Sequence, residues 1–220
     1  MNNKSVIRAP ISDDSTMTIA TTQRLTLSQY LDYDDGTDNR YELVQGELVA
    51  MTPPSWLHLR IVRYLEGVFN RELERLDYAW EAFREPGQQT EENSSRLPDV
   101  AIAPLDAIES ALEQSAVLTV AALLVVEIVS QSTAAQDYRD KVREYAAKGI
   151  AEYWIVDPDP FGAAKYIGSP KLPTVSVYHL VNGSYQVQRF QGRSQSIASP
   201  TFLDLKLTAD QVLQVGKPGP

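Results

Sequence analysis

The chain contains no cysteine, which removes disulfide staples and thiolate metal sites; any metal must be held mainly by oxygen, with two histidines available. Oxygen ligands favour Mg2+, Mn2+ or Ca2+. No segment approaches the roughly 20 apolar residues of a membrane-spanning helix, so no membrane partner is expected. The first twenty residues, MNNKSVIRAPISDDSTMTIA, lack the continuous apolar stretch of a secretory signal. A polar, mobile leader over residues 1–22 and a cytoplasmic address are the expectation. Acidic side chains are missing from Pro160 through Leu203, where Lys165, Lys171, Arg189 and Arg193 carry +4, leaving −13 for the rest of a chain of net charge −9. That balance argues against a protein that coats nucleic acid electrostatically, while leaving room for a local basic surface. There is no internal repeat and no low-complexity run.

What is present is the composition of an ordinary globular protein, 43% apolar and 22% charged over 220 residues, enough for one domain with a sizeable core. We expect that domain to run from 23 to 215, with a frayed Pro/Gly-rich tail over 216–220. The most informative stretch is Leu123–Ser130, LLVVEIVS, an apolar run suited to a central strand buried on both faces. Inside it stands one carboxylate, Glu127. Burial disfavours its charged form, so it must meet a cation, bind a metal, accept hydrogen bonds or take up a proton.

Along the chain, LTLSQYLDY reads as a short helix capped by Thr26, followed by an acidic loop, and YELVQGELVAM as a hairpin turning at Gln45-Gly46. Ser55 opens the longest helical pattern, with Leu57, Ile61, Leu65, Val68, Phe69 and Leu76 near one face. YAWEAFRE alternates as a strand, Pro86-Gly87 breaks it, and EENSSR reads as a polar loop ahead of LPDVAIAP, where Asp99 stands at the mouth of a short buried strand. Ser132 or Thr133 can cap a helix over 134–148, which Gly149 would end. EYWIVDP then supplies another buried strand. Strand, helix and strand within about 35 residues have the spacing of a right-handed crossover between parallel strands. The fold class expected is therefore α/β, a mixed central sheet flanked by helices. TVSVYHL and YQVQRF form a C-terminal hairpin around Asn182-Gly183, and TFLDLKL reads as a last strand before a short helix.

If the strands of Asp99 and Glu127 are neighbours, their carboxylates can share one divalent ion. A length argument brings Lys141 to the same height: about 10 Å of strand beyond Glu127 is matched by about 10 Å of returning helix from Ala134. Two carboxylates and an ammonium suit metal-dependent phosphodiester hydrolysis, the metal polarising phosphate and Lys141 positioning water or neutralising developing charge. The same residues allow blander roles. Glu127 and Lys141 can be a buried ion pair locking helix to sheet, and Asp99 a turn cap. Asp137 can be an i,i+4 partner of Lys141, and His58 a packed helix residue. The basic stretch, with Tyr166, Tyr178, Tyr185 and Phe190 interspersed, can meet a phosphate backbone, form an ordinary strand face or make a dimer contact.

Taken together, Tyr41-Glu42-Leu43, Gly46-Glu47-Leu48, His58, Pro98-Asp99-Val100, Val126-Glu127-Ile128-Val129-Ser130, Asp137, Lys141, Tyr145 and Glu152-Tyr153-Trp154-Ile155-Val156-Asp157-Pro158 resemble the Uma-two family. These are restriction-endonuclease-like proteins of the PD-(D/E)XK nuclease superfamily. The resemblance covers residues 24–160 and the C-terminal hairpin. It implies a restriction-endonuclease-like core, Asp99 and Glu127 as metal ligands for Mg2+ or Mn2+, and Lys141 as the catalytic lysine on a helix. It further implies DNA as substrate and matches Glu42 to a recurrent family acid; a homodimer is also expected, with Glu42, His58 and Asp137 as accessory residues. The superfamily's E-x-K lysine would fall at position 129, where this chain has Val129, and Gln131 stands where the family usually has proline. A catalytically silent, dimeric nucleic-acid- or protein-binding module on the same scaffold is the alternative.

Overall fold

The computed structural model describes residues 24–192 and 194–216. The leader expected over 1–22 lies outside the described residues, as does the tail apart from Gly216. Helix α1 (Leu27–Leu31) is closed by a capping box in which the Thr26 hydroxyl accepts from the Gln29 N–H and the Gln29 side chain reaches back to the Thr26 N–H. Strands β1 (Tyr41–Val44) and β2 (Glu47–Ala50) form the expected antiparallel hairpin, with Gln45 and Gly46 both at positive φ, the turn that suits twisted strands. Helix α2 (Trp56–Arg75) starts at Ser55, whose Oγ accepts from the His58 N–H. It buries Ile61, Val62, Leu65, Val68, Phe69 and Leu73.

Four strands follow: β3 (Trp80–Arg84), β4 (Gly87–Glu91), β5 (Ser94–Arg96) and β6 (Val100–Pro104). After α3 (Leu105–Glu109) and β7 (Val117–Leu118) comes β8 (Leu124–Ile128), the apolar stretch with its lone acid. A π-helical turn over Gln136–Asp140 runs into α4 (Lys141–Lys148), which stops at Gly149 with φ +87°. Then come β9 (Glu152–Asp157), α5 (Ala164–Ile167), β10 (Thr174–Val181), β11 (Ser184–Phe190) and α6 (Ala209–Leu213).

The strands make two mixed sheets. The larger has the order β11-β10-β9-β8-β6-β3, with β8 and β9 parallel as the crossover spacing implied and the remaining neighbours antiparallel. The smaller has the order β2-β1-β5-β4-β7. Alternation along β8 divides the core. Leu124, Val126 and Ile128 pack with α2, α6 and the rows from β6 and β9. Val125 and Val129 face the other way, toward Tyr145 of α4, Tyr153 and Ile155. Glu127 has the parity of this second face.

Three local expectations change. EENSSR is not a solvated loop: Ser94, Ser95 and Arg96 are a buried strand between β1 and β4, so the N-terminal hairpin belongs to a second sheet. A pattern of polar residues hid it, because their burial is compensated by specific partners and not by apolar packing. The crossover helix is capped one turn early. Ser130 Oγ accepts from the Thr133 N–H while Thr133 Oγ1 accepts from the Ser130 N–H, a reciprocal cap that displaces Ser132. Finally, TFLDLKL makes no strand. Phe202, Leu205 and Leu207 are each buried singly, and the segment is tied down by Glu152, which accepts from Ser199 Oγ and the Thr201 N–H.

Candidate functional site

Asp99 and Glu127 are brought together by register. Val100 pairs with Val126 in the β6–β8 ladder, so one further step sets Asp99 opposite Glu127 on the α4 face. The carboxylate of Asp99 is held at both oxygens, Oδ2 accepting from the Ile128 N–H at 2.6 Å and Oδ1 lying 2.7 Å from His58 Nε2. Burial would lower the His58 pKa, but the hydrogen bond and charge of Asp99 carry it above the ordinary value.

Glu127 receives two groups from α4. The Tyr145 hydroxyl donates to Oε1 at 2.6 Å, and Lys141 Nζ lies 2.8 Å from Oε2. Residues 141 and 145 are one turn apart and so point from the same helix face at the two oxygens of one carboxylate. The same ammonium lies 3.2 Å from Asp137 and 3.6 Å from Glu42. All four residues are almost wholly buried. Burial raises the pKa of Glu127 and of Asp137, and Lys141 only partly offsets it. Burial opposes the charge of Lys141 too, but Glu127, Glu42 and Asp137 together raise its pKa well above the usual lysine range.

Glu42 reaches the cluster from the second sheet. Its Oε1 accepts from the Leu97 N–H at 3.1 Å and its Oε2 from Arg96 at 2.9 Å. The other edge of the Arg96 guanidinium makes a bidentate pair with Glu144 of α4 at 2.7 and 2.6 Å. Lys141 and Arg96 counter the burial of Glu42 and hold its pKa below the ordinary range. Arg96 and Glu144 were not identified from the sequence. Glu144 stands three residues after Lys141 and Arg96 three before Asp99, but neither spacing distinguishes them from surface charges.

All five sites read from the sequence and its family resemblance besides Lys141, namely Asp99, Glu127, Glu42, His58 and Asp137, therefore meet in one region. Its floor is open to a cleft of about 730 Å3 whose lining includes Glu42, His58, Asp99, Glu127 and Lys141. Val129, in the position of the superfamily lysine, is buried among apolar neighbours; the helix lysine supplies the ammonium instead. The basic stretch lies elsewhere. Lys165 stands over the Tyr166 ring and Arg189 donates to the Tyr166 carbonyl, while Arg193 is outside the described residues.

The family model described as "Putative restriction endonuclease" (Uma2) matches residues 27–210. The chain belongs to the Uma2 family. A solved structure titled as a putative nuclease belonging to DUF820, from Anabaena variabilis, superposes with a TM-score of 0.67 at 19% identity, covering 86% of this chain and 98% of that one. That likeness shows a shared fold, which in this chain is two mixed sheets flanked by helices. No curated protein matches the chain.

The donor set can be tested against a divalent ion. Among the described residues, no three His, Asp or Glu side chains stand in an arrangement that would hold one as they are. Their chemistry is nonetheless that suited to a hard cation: carboxylate oxygens, with buried Asp137 met by the Lys141 ammonium at 3.2 Å on one oxygen and by no hydrogen bond on the other. Charge points the same way. Glu42, Asp99, Glu127, Asp137 and Glu144 face Lys141 and Arg96, and when His58, beside Asp99, takes up a proton the excess is two negative charges. Two protons or one divalent ion would balance it. The residues fit such an ion.

Proposed function

We propose that the protein is a divalent-metal-dependent endonuclease that hydrolyses DNA phosphodiester bonds, with Asp99 and Glu127 holding Mg2+ or Mn2+. The observation that carries this reading is the buried carboxylate cluster, two charges short of neutrality, at the floor of a cleft in a Uma2 family chain. A bound divalent ion supplies Lewis-acid polarisation of phosphate and a more acidic water. The remaining work falls to the chain. Lys141 keeps its proton and presents a fixed positive charge beside Glu127, where charge on a transferring phosphate would develop. Tyr145 and His58 each fix one oxygen of the two ligand carboxylates, while Lys141 and the Ile128 N–H meet the other, so both acids are held in place and an ion would use their remaining lone pairs. Glu42, fastened by Arg96 and Leu97, keeps a second carboxylate near Lys141 and so helps hold the ammonium in place.

Supercoiled plasmid incubated with Mg2+ or Mn2+ should be nicked or linearised, and Glu127→Ala or Lys141→Ala should abolish this. Cleavage that survives either substitution would show that the roles are misassigned. Calorimetric titration with Mn2+ should weaken on Asp99→Ala. A second reading draws on the internal satisfaction of the cluster, in which Lys141 already neutralises Glu127 while Val129 replaces the superfamily lysine: a silent binding module. Salt-dependent DNA binding without cleavage under any divalent ion would favour it. We further propose one folding unit over 23–215, a cytoplasmic location and a homodimer. Residues Arg96 and Lys141, each bridging the two sheets' elements, support the single unit, and one cooperative unfolding transition would test it. No helix of the described residues is long and apolar enough to cross a membrane.

A further inference from the structure

The two edges of the six-stranded sheet are finished differently. At β3 the outward N–H and C=O of Ala82 are taken by the Asn70 side chain, whose Oδ1 accepts at 2.8 Å and whose Nδ2 donates at 3.1 Å. An amide of α2 thus stands where a further strand would pair. At β11 nothing comparable occurs among the described residues. The two-residue turn Asn182-Gly183 makes Val181 and Ser184 the closing hydrogen-bonded pair, so the peptide groups of Ser184, Gln186, Gln188 and Phe190 point toward β10. Those of Tyr185, Val187 and Arg189 point outward, and no backbone or side-chain hydrogen bond to their N–H or C=O groups is made by the described residues. Natural sheets seldom leave such a row open, and the one charged side chain on it, Arg189, is turned onto the Tyr166 carbonyl.

We infer that β11 is the homodimer interface, pairing antiparallel with β11 of a second copy about Val187. The sequence of the strand is self-complementary about that point. With Val187 on the two-fold axis, Tyr185 lies opposite the second copy's Arg189 on one face, and Gln186 opposite its Gln188 on the other. Tyr opposite Arg permits a cation–π contact, and paired glutamine amides can hydrogen-bond to each other. No like charges are set directly opposite. The three outward-pointing residues of each copy would exchange six backbone hydrogen bonds, closing both edges into one sheet of twelve strands. A second copy fits better than an unrelated strand because the opposing pairs are supplied by this chain itself. Tyr185 and Val187 are already fixed by packing against the α4 side of the core, and Tyr185 Oη donates to the Ile150 carbonyl at 2.8 Å, so little ordering remains to be done on pairing.

No cleft residue takes part, so the inference stands apart from the nuclease reading, and sedimentation tests it without reference to cleavage. The full chain should sediment at twice its 24.5 kDa mass at high protein concentration. Gln186→Lys with Gln188→Lys alters exposed side chains only and sets ammonium against ammonium twice across the axis, so it should return the mass to that of one chain. Gln186→Lys with Gln188→Glu sets unlike charges at the same places and should restore the dimer. Val187→Pro removes the outward N–H, along with part of the Val187 packing on the α4 side, and should also give single chains, with an unchanged circular dichroism spectrum. A wild-type monomer overturns the inference. So does a dimer that persists in the double-lysine variant, which would place the contact on another face.

Discussion

Replacing Lys141 by methionine tests how the buried cluster is balanced. The substitution keeps the length of the aliphatic stem and removes the ammonium that lies 2.8, 3.2 and 3.6 Å from Glu127, Asp137 and Glu42. Glu42 would retain Arg96 and the Leu97 N–H, and Glu127 would retain Tyr145, while Asp137 would lose its one close cation. Removing one partner of a buried ion pair costs about 3–5 kcal/mol. One ammonium serving three carboxylates puts the expectation at the upper end, with Tm falling by roughly 6–20 °C for a chain of this size. The loss must also depend on pH. Burial has already raised the pKa of Glu127 and Asp137, so the folded state binds more protons than the unfolded chain above the ordinary carboxylate pKa. Metal-free stability contributed by these two groups is present below that value and is lost as pH rises toward their folded pKa. Without Lys141 those folded values move higher still, so the penalty widens with pH. Urea unfolding of both proteins in chelator, at about pH 5.5 and about pH 8, measures it. A difference under about 1 kcal/mol, or one that does not grow between the two pH values, would refute an account in which Lys141 neutralises the cluster.

Glu127→Gln should abolish cleavage and weaken Mn2+ binding, yet leave metal-free stability at alkaline pH unchanged or higher, because the acid that burial penalises most is gone while an amide can still bond Tyr145 and Lys141; calorimetry and urea melts at matched pH check both halves. Arg96→Met should cost about 3–5 kcal/mol, since Glu42 and Glu144 are both left buried without their cation, and adding Glu144→Gln should recover part of that loss in a double-mutant cycle. Asn70→Ala should cost about 1–3 kcal/mol by leaving the Ala82 peptide unpaired, and by opening the β3 edge it should produce larger assemblies by light scattering where the parent protein gives none.

Much of the fold is written in local pattern. The run LLVVEIVS is apolar because β8 is covered on both faces, and Asn182-Gly183, Gln45-Gly46, Ser55 and Gly149 mark ends of elements through chemistry that acts within a few residues. The site was legible to the same depth. Glu127 betrays itself as an acid among valines, and strand and helix rises suffice to bring Lys141 beside it. Arg96 and Glu144 betray nothing, because an arginine after two serines looks solvated until a second sheet closes over it. For the same reason the strand that carries Arg96 reads as a loop in the sequence.

The sequence by itself determined which residues are helix and strand around the crossover, that β8 and β9 run parallel, and that a carboxylate must be neutralised inside. Those are consequences of periodicity, capping and the cost of burying charge, all computed over short spans of chain. Tertiary structure alone decided how the neutralisation is shared: that Lys141 serves three acids, that Arg96 joins Glu42 on one sheet to Glu144 on a helix of the other layer, that His58 bonds Asp99, and that one sheet edge is sealed by Asn70 while the other stays open. Such partners lie tens of residues apart, and a charge is felt through space and not along the chain.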